Sequence, residues 1–188
     1  MSHCRWPQAK EGYNYDETFA TAAKIALIHV LLALAAQRDW EIDQIDVVSA
    51  YLNADLEDEV YMEVPNSVLA EREYRKVCHL WKGLYGLKQV GRQWYDLMAH
   101  TFKALGFNIS KLDQSVFFRT KGNKTVHTPV STNDMIVMGN TRGAMDTVKA
   151  KLHRSFKITD QGELMWLLRF EVQRTEWRGC LASIKEHT

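Results

Sequence analysis

Apolar residues recur at helical spacing between Thr21 and Arg38, where Ile25, Ile28, Leu31, Leu32 and Ala35 form a stripe broad enough for a buried helix. Ala22, Ala23, Ala33, Ala35 and Ala36 in the same stretch add propensity. The period then shortens. Trp40, Ile42 and Ile45-Asp-Val47 predict a strand, and Val60–Val64, closed by Pro65, a second. Between them Asp55–Glu59 reads as an acidic turn. After a polar segment, Asn66–Arg75, the run Val77–Trp81 predicts a short strand. Gly83, Gly86 and Gly91 mark a turn-rich passage before a second helix from Arg92 to Leu105, with Trp94, Leu97, Met98 and Phe102 on one side and Gly106 as its stop.

Further on, Val116–Arg119 reads as a strand, Lys121–Lys124 as a polar turn and Met135–Met138 as an apolar run. Asp146–Phe156 predicts a third helix, and Leu164–Val172 a final strand. Helices and strands alternate irregularly, with antiparallel pairing expected around residues 119–135. The pattern predicts an α+β fold, an antiparallel sheet with helices on one face. Residues 1–15 show no periodicity and read as a lead-in.

A chain of 188 residues is long enough for one domain, or a large one with a small lobe. With 46% hydrophobic and 25% charged residues it is neither a disordered tail nor a fibrous repeat. Lys plus Arg (24) nearly cancels Asp plus Glu (23), so any nucleic-acid surface must be a local patch. Cysteines at 4, 78 and 180 are too scattered for a disulfide framework or a zinc site, and are expected to be reduced thiols. The longest apolar stretch, Ile25–Ala36, is too short to span a bilayer, and the amino terminus carries no apolar signal region. The expectation is an intracellular protein, cytoplasmic or nuclear, with no membrane partner.

Two stretches could carry chemistry. In Gln44-Ile-Asp46-Val-Val-Ser-Ala-Tyr51-Leu-Asn53, a carboxylate ends an apolar strand and an aromatic follows five residues later. Mg²⁺ uses one or two carboxylates plus substrate phosphates, so Asp46 could hold a cation; equally, it could simply cap the next turn. In Lys82–Tyr95, glycines allow close backbone approach, Lys88 and Arg92 offer cations for phosphates, and Tyr85, Trp94 and Tyr95 offer stacking faces. The same stretch also reads as a glycine-rich loop feeding an amphipathic helix, with Trp94 in the core. No Walker A, nucleophile elbow or dinucleotide fingerprint is present, and the seven histidines are too far apart for a short metal motif.

Several blocks occur in a fixed order: Tyr15–Phe19, Leu31–Ala36, Trp40-Glu-Ile, Asp46–Asn53, Glu59–Glu63, Gly83–Gln89 with Arg92–Tyr95, Leu105–Phe107, Asp113–Phe117, Asp134-Met-Ile, Gly162-Glu-Leu and Phe170-Glu-Val172. Together they resemble the reverse transcriptase of copia-type LTR retrotransposons, over about residues 12–175. The resemblance implies a polymerase palm, with partial fingers, occupying residues 13–175 between a lead-in (1–12) and a tail (176–188). It also implies RNA-directed DNA polymerase chemistry with Mg²⁺ or Mn²⁺, acting on dNTPs and an RNA template with primer, or an RNA–DNA hybrid. Asp46 would be the first metal-binding carboxylate and Tyr51 the gate under the incoming sugar. Gly86, Lys88, Gln89 and Arg92 would support template and primer contacts.

Departures from the family pattern are concentrated near the metal site. The family carries two adjacent carboxylates in a Tyr-x-Asp-Asp motif; this chain reads Ser131-Thr132-Asn133-Asp134. Asp134 remains a metal-binding and catalytic candidate, but Asn133 stands where the more critical acid belongs. Loss of that charge is expected to weaken the metals and impair catalysis. The preceding segment, Val126-His-Thr-Pro-Val130, puts a proline and two polar residues into an expected strand. Arg169 replaces a family glycine. Against the family pattern, the basic strands of the fingers are expected to lack a counterpart before Tyr13, and thumb and RNase H segments are expected to be missing. The alternative reading is a non-catalytic nucleic-acid-binding module derived from such an element.

Overall fold

A computed structural model of the chain describes residues 22–64, 77–167 and 170–172. The lead-in, the polar segment 66–75, Arg169 and the tail lie outside these residues, as do Cys4 and Cys180. The chain divides into two compact units. One contains the described residues 49–64 and 77–97, the other 22–48, 98–167 and 170–172.

The larger unit is built on a six-stranded antiparallel sheet. Its strands are β1 (Glu41–Val47), β4 (Asn108–Ile109), β5 (Val116–Lys121), β6 (Lys124–Ser131), β7 (Asp134–Gly139) and β8 (Ile158–Glu163), numbered along the whole chain, in the order β4-β5-β6-β7-β1-β8. Successive residues on β1 point to opposite faces. Ile42 packs with Ile136 and Met138 against helix α1 (Ile25–Gln37), whose Ile28, Leu31, Leu32 and Ala35 are buried. Asp43 turns the other way, to helix α3 (Arg142–Ser155), where Met145, Val148 and Leu152 are fully buried. On that second face Phe102 stacks on Phe117 with ring centroids 4.3 Å apart. Helices therefore cover both faces, rather than the one face expected from the sequence, because both sets of alternating strand residues are apolar enough to need cover.

Helix α1 begins at Ile25, later than its periodicity suggests. Ala22 instead bridges Ser131, and the Ala23 N–H donates to the Val130 carbonyl at 2.9 Å, so the sheet claims these alanines first. At the other end Asp39 adopts φ +53° and the Trp40 N–H closes on the Ala35 carbonyl at 2.8 Å. Strand β8 was not legible as a strand. Ile-Thr-Asp-Gln-Gly-Glu lies at a sheet edge, where solvent tolerates polar residues. The expected final strand, Leu164–Val172, is instead a small hairpin of β9 (Trp166–Leu167) on β10 (Phe170–Glu171). The helix expected from Asp146 starts a turn earlier, at Arg142.

Pro129 does lie inside a strand, and a central one. Strand β6 pairs with β5 continuously through Val116↔Pro129. Its pairing with β7 breaks at Thr128 and Pro129 and resumes at Val130↔Met135. The missing amide donor interrupts the ladder without ending the strand. Thr128 Oγ1 is buried with no hydrogen-bond partner among the described residues. His127 stacks with Trp40 and Phe118, centroids 5.3 and 6.1 Å away, and burial, helped by Arg38, holds its pKa below the usual histidine value.

The smaller unit contains a short 3-10 helix (Ala50–Asn53) and an antiparallel hairpin of β2 (Asp55–Glu63) and β3 (Val77–Lys82). Asp55–Glu59, expected as a turn, is the first half of β2. Its charges are tolerated because most of this two-stranded ribbon is open to water. Helix α2 (Val90–Ala104) begins in this unit, with Val90, Trp94 and Tyr95 buried, and continues into the larger one.

Candidate functional site

Strands β1 and β7 bring residues nearly ninety positions apart to one edge of the larger unit. Asp46 and Asp134 are directly paired across the two strands, so both carboxylates leave the sheet on the α1 face. The connection from β6 to β7 is only Thr132-Asn133, with Ser131 paired to Asp134. Thr132 takes φ +53°, an uncommon conformation for a β-branched residue. The Asn133 carbonyl accepts the Val47 N–H at 2.8 Å, fixing the turn against the end of β1. Its side-chain amide nitrogen donates to Asp46 Oδ1 at 3.1 Å.

Gln44, two residues before Asp46 and therefore on the same face, extends its Nε2 to Asp134 Oδ1 at 3.4 Å. Asp46, Asn133 and Asp134 are all half-buried. Burial raises the Asp134 pKa above the ordinary carboxylate value; the Gln44 amide opposes this, and the charge of Asp46 adds to it. A β-bulge opposite Gln44 and Ile45, with Gly162 at φ +75°, bends β8 beside this cluster. Among the described residues no three His, Cys, Asp or Glu side chains converge, so the acid content of the cluster is two carboxylates. Gln44 was missed as a participant, although strict alternation from Asp46 places it on the right face.

The other candidates lie in the smaller unit. Tyr51, on the 3-10 helix, packs on Tyr85 with ring centroids 4.6 Å apart. Gly86 has φ +104°. Gly83 is confined by contact: a Cβ there would sit 2.7 Å from the Tyr51 carbonyl oxygen and 2.8 Å from Val90 Cγ1. Lys88 is exposed, Gln89 is buried, and Arg92 pairs with Asp96 one turn along α2 at 2.9 Å. Trp94 is a core residue.

Behind the carboxylates lies a charge cluster that sequence reasoning passed over. Asp43 is fully buried; Arg142 Nη1 reaches its Oδ1 at 2.8 Å, and Lys149 Nζ pairs with its Oδ2. Lys149 also holds Asp160 at 2.8 and 2.9 Å. Burial would raise the Asp160 pKa, but the Lys149 hydrogen bond, the Gly162 amide and the nearby cations bring it below the usual value.

The family model described as "Reverse transcriptase (RNA-dependent DNA polymerase)" matches residues 6–182. The chain belongs to the reverse transcriptase family. It is 34% identical over 168 residues to the Retrovirus-related Pol polyprotein from transposon TNT 1-94 of Nicotiana tabacum, covering 89% of this chain and 13% of that protein. It is 34% identical to the corresponding polyprotein from transposon RE1 of Arabidopsis thaliana, covering 88% of this chain and 11% of the relative. The transposon RE2 polyprotein of the same plant is 32% identical, with the same two shares. This reverse transcriptase chain is thus of the copia-type retrotransposon kind that its ordered blocks resemble, and it spans a small part of the relatives' length. No helix among its described residues is long and apolar enough to cross a membrane.

Proposed function

We propose that residues 13–175 are the palm and partial fingers of an RNA-directed DNA polymerase whose metal site is degraded. Asp46 and Asp134 would hold a divalent cation, Mg²⁺ or Mn²⁺, because two half-buried carboxylates face each other and one is already destabilised by its neighbour's charge. The donor set suits one such ion better than two. In this class of reaction the metals activate the primer 3′-oxygen and neutralise the leaving pyrophosphate. The observation that carries the reading of impairment is the Asn133–Asp46 hydrogen bond. Asn133 brings no charge, and its N–H occupies a carboxylate oxygen that a cation would need.

In this reading Tyr51 supports the sugar of an incoming dNTP and excludes a 2′-hydroxyl. Gly86, Lys88, Gln89 and Arg92 support template and primer, RNA or hybrid, with Arg92 exchanging Asp96 for phosphate. Primer extension on an RNA template with Mg²⁺ tests it. Asn133→Asp, alone or with Pro129→Val, should raise the rate about 10²- to 10³-fold, the worth of one electrostatic partner at such a centre. Asp46→Ala should abolish what activity there is. A native chain as fast as Asn133→Asp would overturn the claim of impairment. Salt-sensitive RNA binding that needs Lys88 and Arg92 but ignores Asp46→Ala, with no synthesis by any variant, would leave a non-catalytic binding module.

A further inference from the structure

The exposed face of the β2–β3 hairpin carries a row of aromatic rings. Tyr61 and His79 are paired across the strands, with centroids 4.8 Å apart and planes inclined by 24°. Trp81, two residues along β3 and so on the same face, lies 4.3 Å from His79. Trp81 is 73% exposed and Tyr61 44%. Val77, also exposed, ends the row opposite Glu63. Leaving such rings in water contributes little to folding, and their mutual stacking restricts their rotamers in advance of any ligand.

Charge selects the occupant. Asp55, Glu57, Asp58, Glu59 and Glu63 are all exposed on β2. Lys82, the one lysine or arginine of β3, is engaged by Asp55 at 2.6 Å and donates to the Asn53 carbonyl. A phosphodiester backbone would meet like charge here, whereas a guanidinium or ammonium group would find both ring faces and carboxylates. We propose that this face docks an extended, arginine- or lysine-bearing segment of a partner protein. Its cations lie over Trp81 and Tyr61 and pair with Glu63 and its neighbours, and alternate side chains of the segment face the rings. The site shares no residue with the Asp46 cluster and does not depend on polymerase chemistry.

Fluorescence anisotropy of a labelled peptide of alternating arginine and serine, titrated with the full chain at low salt, tests the proposal. The arginine peptide should bind, while the matching glutamate peptide should not. Trp81→Ala, which keeps every charge, should weaken binding about 3- to 30-fold, with Trp81→Phe retaining most of it. Glu63→Gln should also weaken it and flatten its salt dependence, and Asp46→Ala should leave it unchanged. Circular dichroism confirms that each variant is folded. No binding of the arginine peptide, or binding indifferent to Trp81→Ala, would overturn the proposal. So would a single-stranded RNA oligonucleotide that binds through Trp81 in preference to the peptide.

Discussion

Asn133 donates its side-chain amide to Asp46 at the paired ends of β1 and β7 at 3.1 Å, while its backbone carbonyl accepts the Val47 N–H at 2.8 Å. One residue thus ties the turn to the strand twice, and the side-chain tie needs an amide. A carboxylate at the same position could not donate, and it would add a third negative charge beside Asp46 and Asp134.

Asn133→Asp should therefore melt lower than the native chain in metal-free buffer at neutral pH. Losing a hydrogen bond to a charged group costs about 1.5–3 kcal/mol, or a Tm drop of about 3–12 °C at this size. Adding MgCl2 should restore most of the difference. Thermal melts with and without the salt read both effects, and a variant insensitive to Mg²⁺ would contradict the assignment.

Asp134→Asn should do the reverse. The folded-state pKa of Asp134 is raised from the ordinary 3.8, chiefly by burial, so the folded chain favours its protonated form. Its contribution to stability is full below that ordinary value and is lost as pH rises through the folded-state pKa. Removing the ionisation should raise Tm at pH 7, and the gain should vanish as pH falls through the carboxylate range. Paired melts across pH check the sign.

Lys149→Met should be among the more damaging single changes. It strands the buried Asp43 carboxylate with Arg142 alone, and breaking a buried pair from one side costs about 3 kcal/mol or more. Combining it with Asp43→Asn should recover more than half of the loss. Urea denaturation of the two single variants and the double variant gives the coupling.

Gly83→Ala should destabilise the smaller unit through sterics. The new methyl would overlap both the Tyr51 carbonyl and Val90, neither of which is a flexible chain end. Overpacking of this kind costs about 1–3 kcal/mol. Hydrogen exchange should localise the loss to the 3-10 helix and the start of α2 and spare the six-stranded sheet.

Much of the fold is written in periodicity, and the failures have common causes. Helices α2 and α3 fall within a few residues of the stretches their apolar stripes mark, and Gly106, at φ +81°, stops α2 as expected. The strands that escaped notice, β4, β8 and the acidic half of β2, lie at edges or in an open ribbon, where little apolar patterning is required. Pro129 misled in the other direction. Pairing with β5 holds the strand through a position that the isolated residue disfavours. At the candidate site, Asp46 stood out at the end of an apolar strand, but its meeting with Asn133 and Asp134 was legible only through the family blocks, since nothing local says that they meet. The Asp43 cluster was illegible for the same reason, because its partners are contributed by a helix nearly a hundred residues later.

That cluster has a mechanical corollary for the carboxylates. Asp43 and Asp46 ride on one short strand and face opposite ways, so the cations of α3 grip from behind the same ribbon that presents the acid in front. A helix anchored there sets how far forward Asp46 stands. Wear at the rear fastening would therefore shift the front of the sheet without altering Asp46, Asn133 or Asp134.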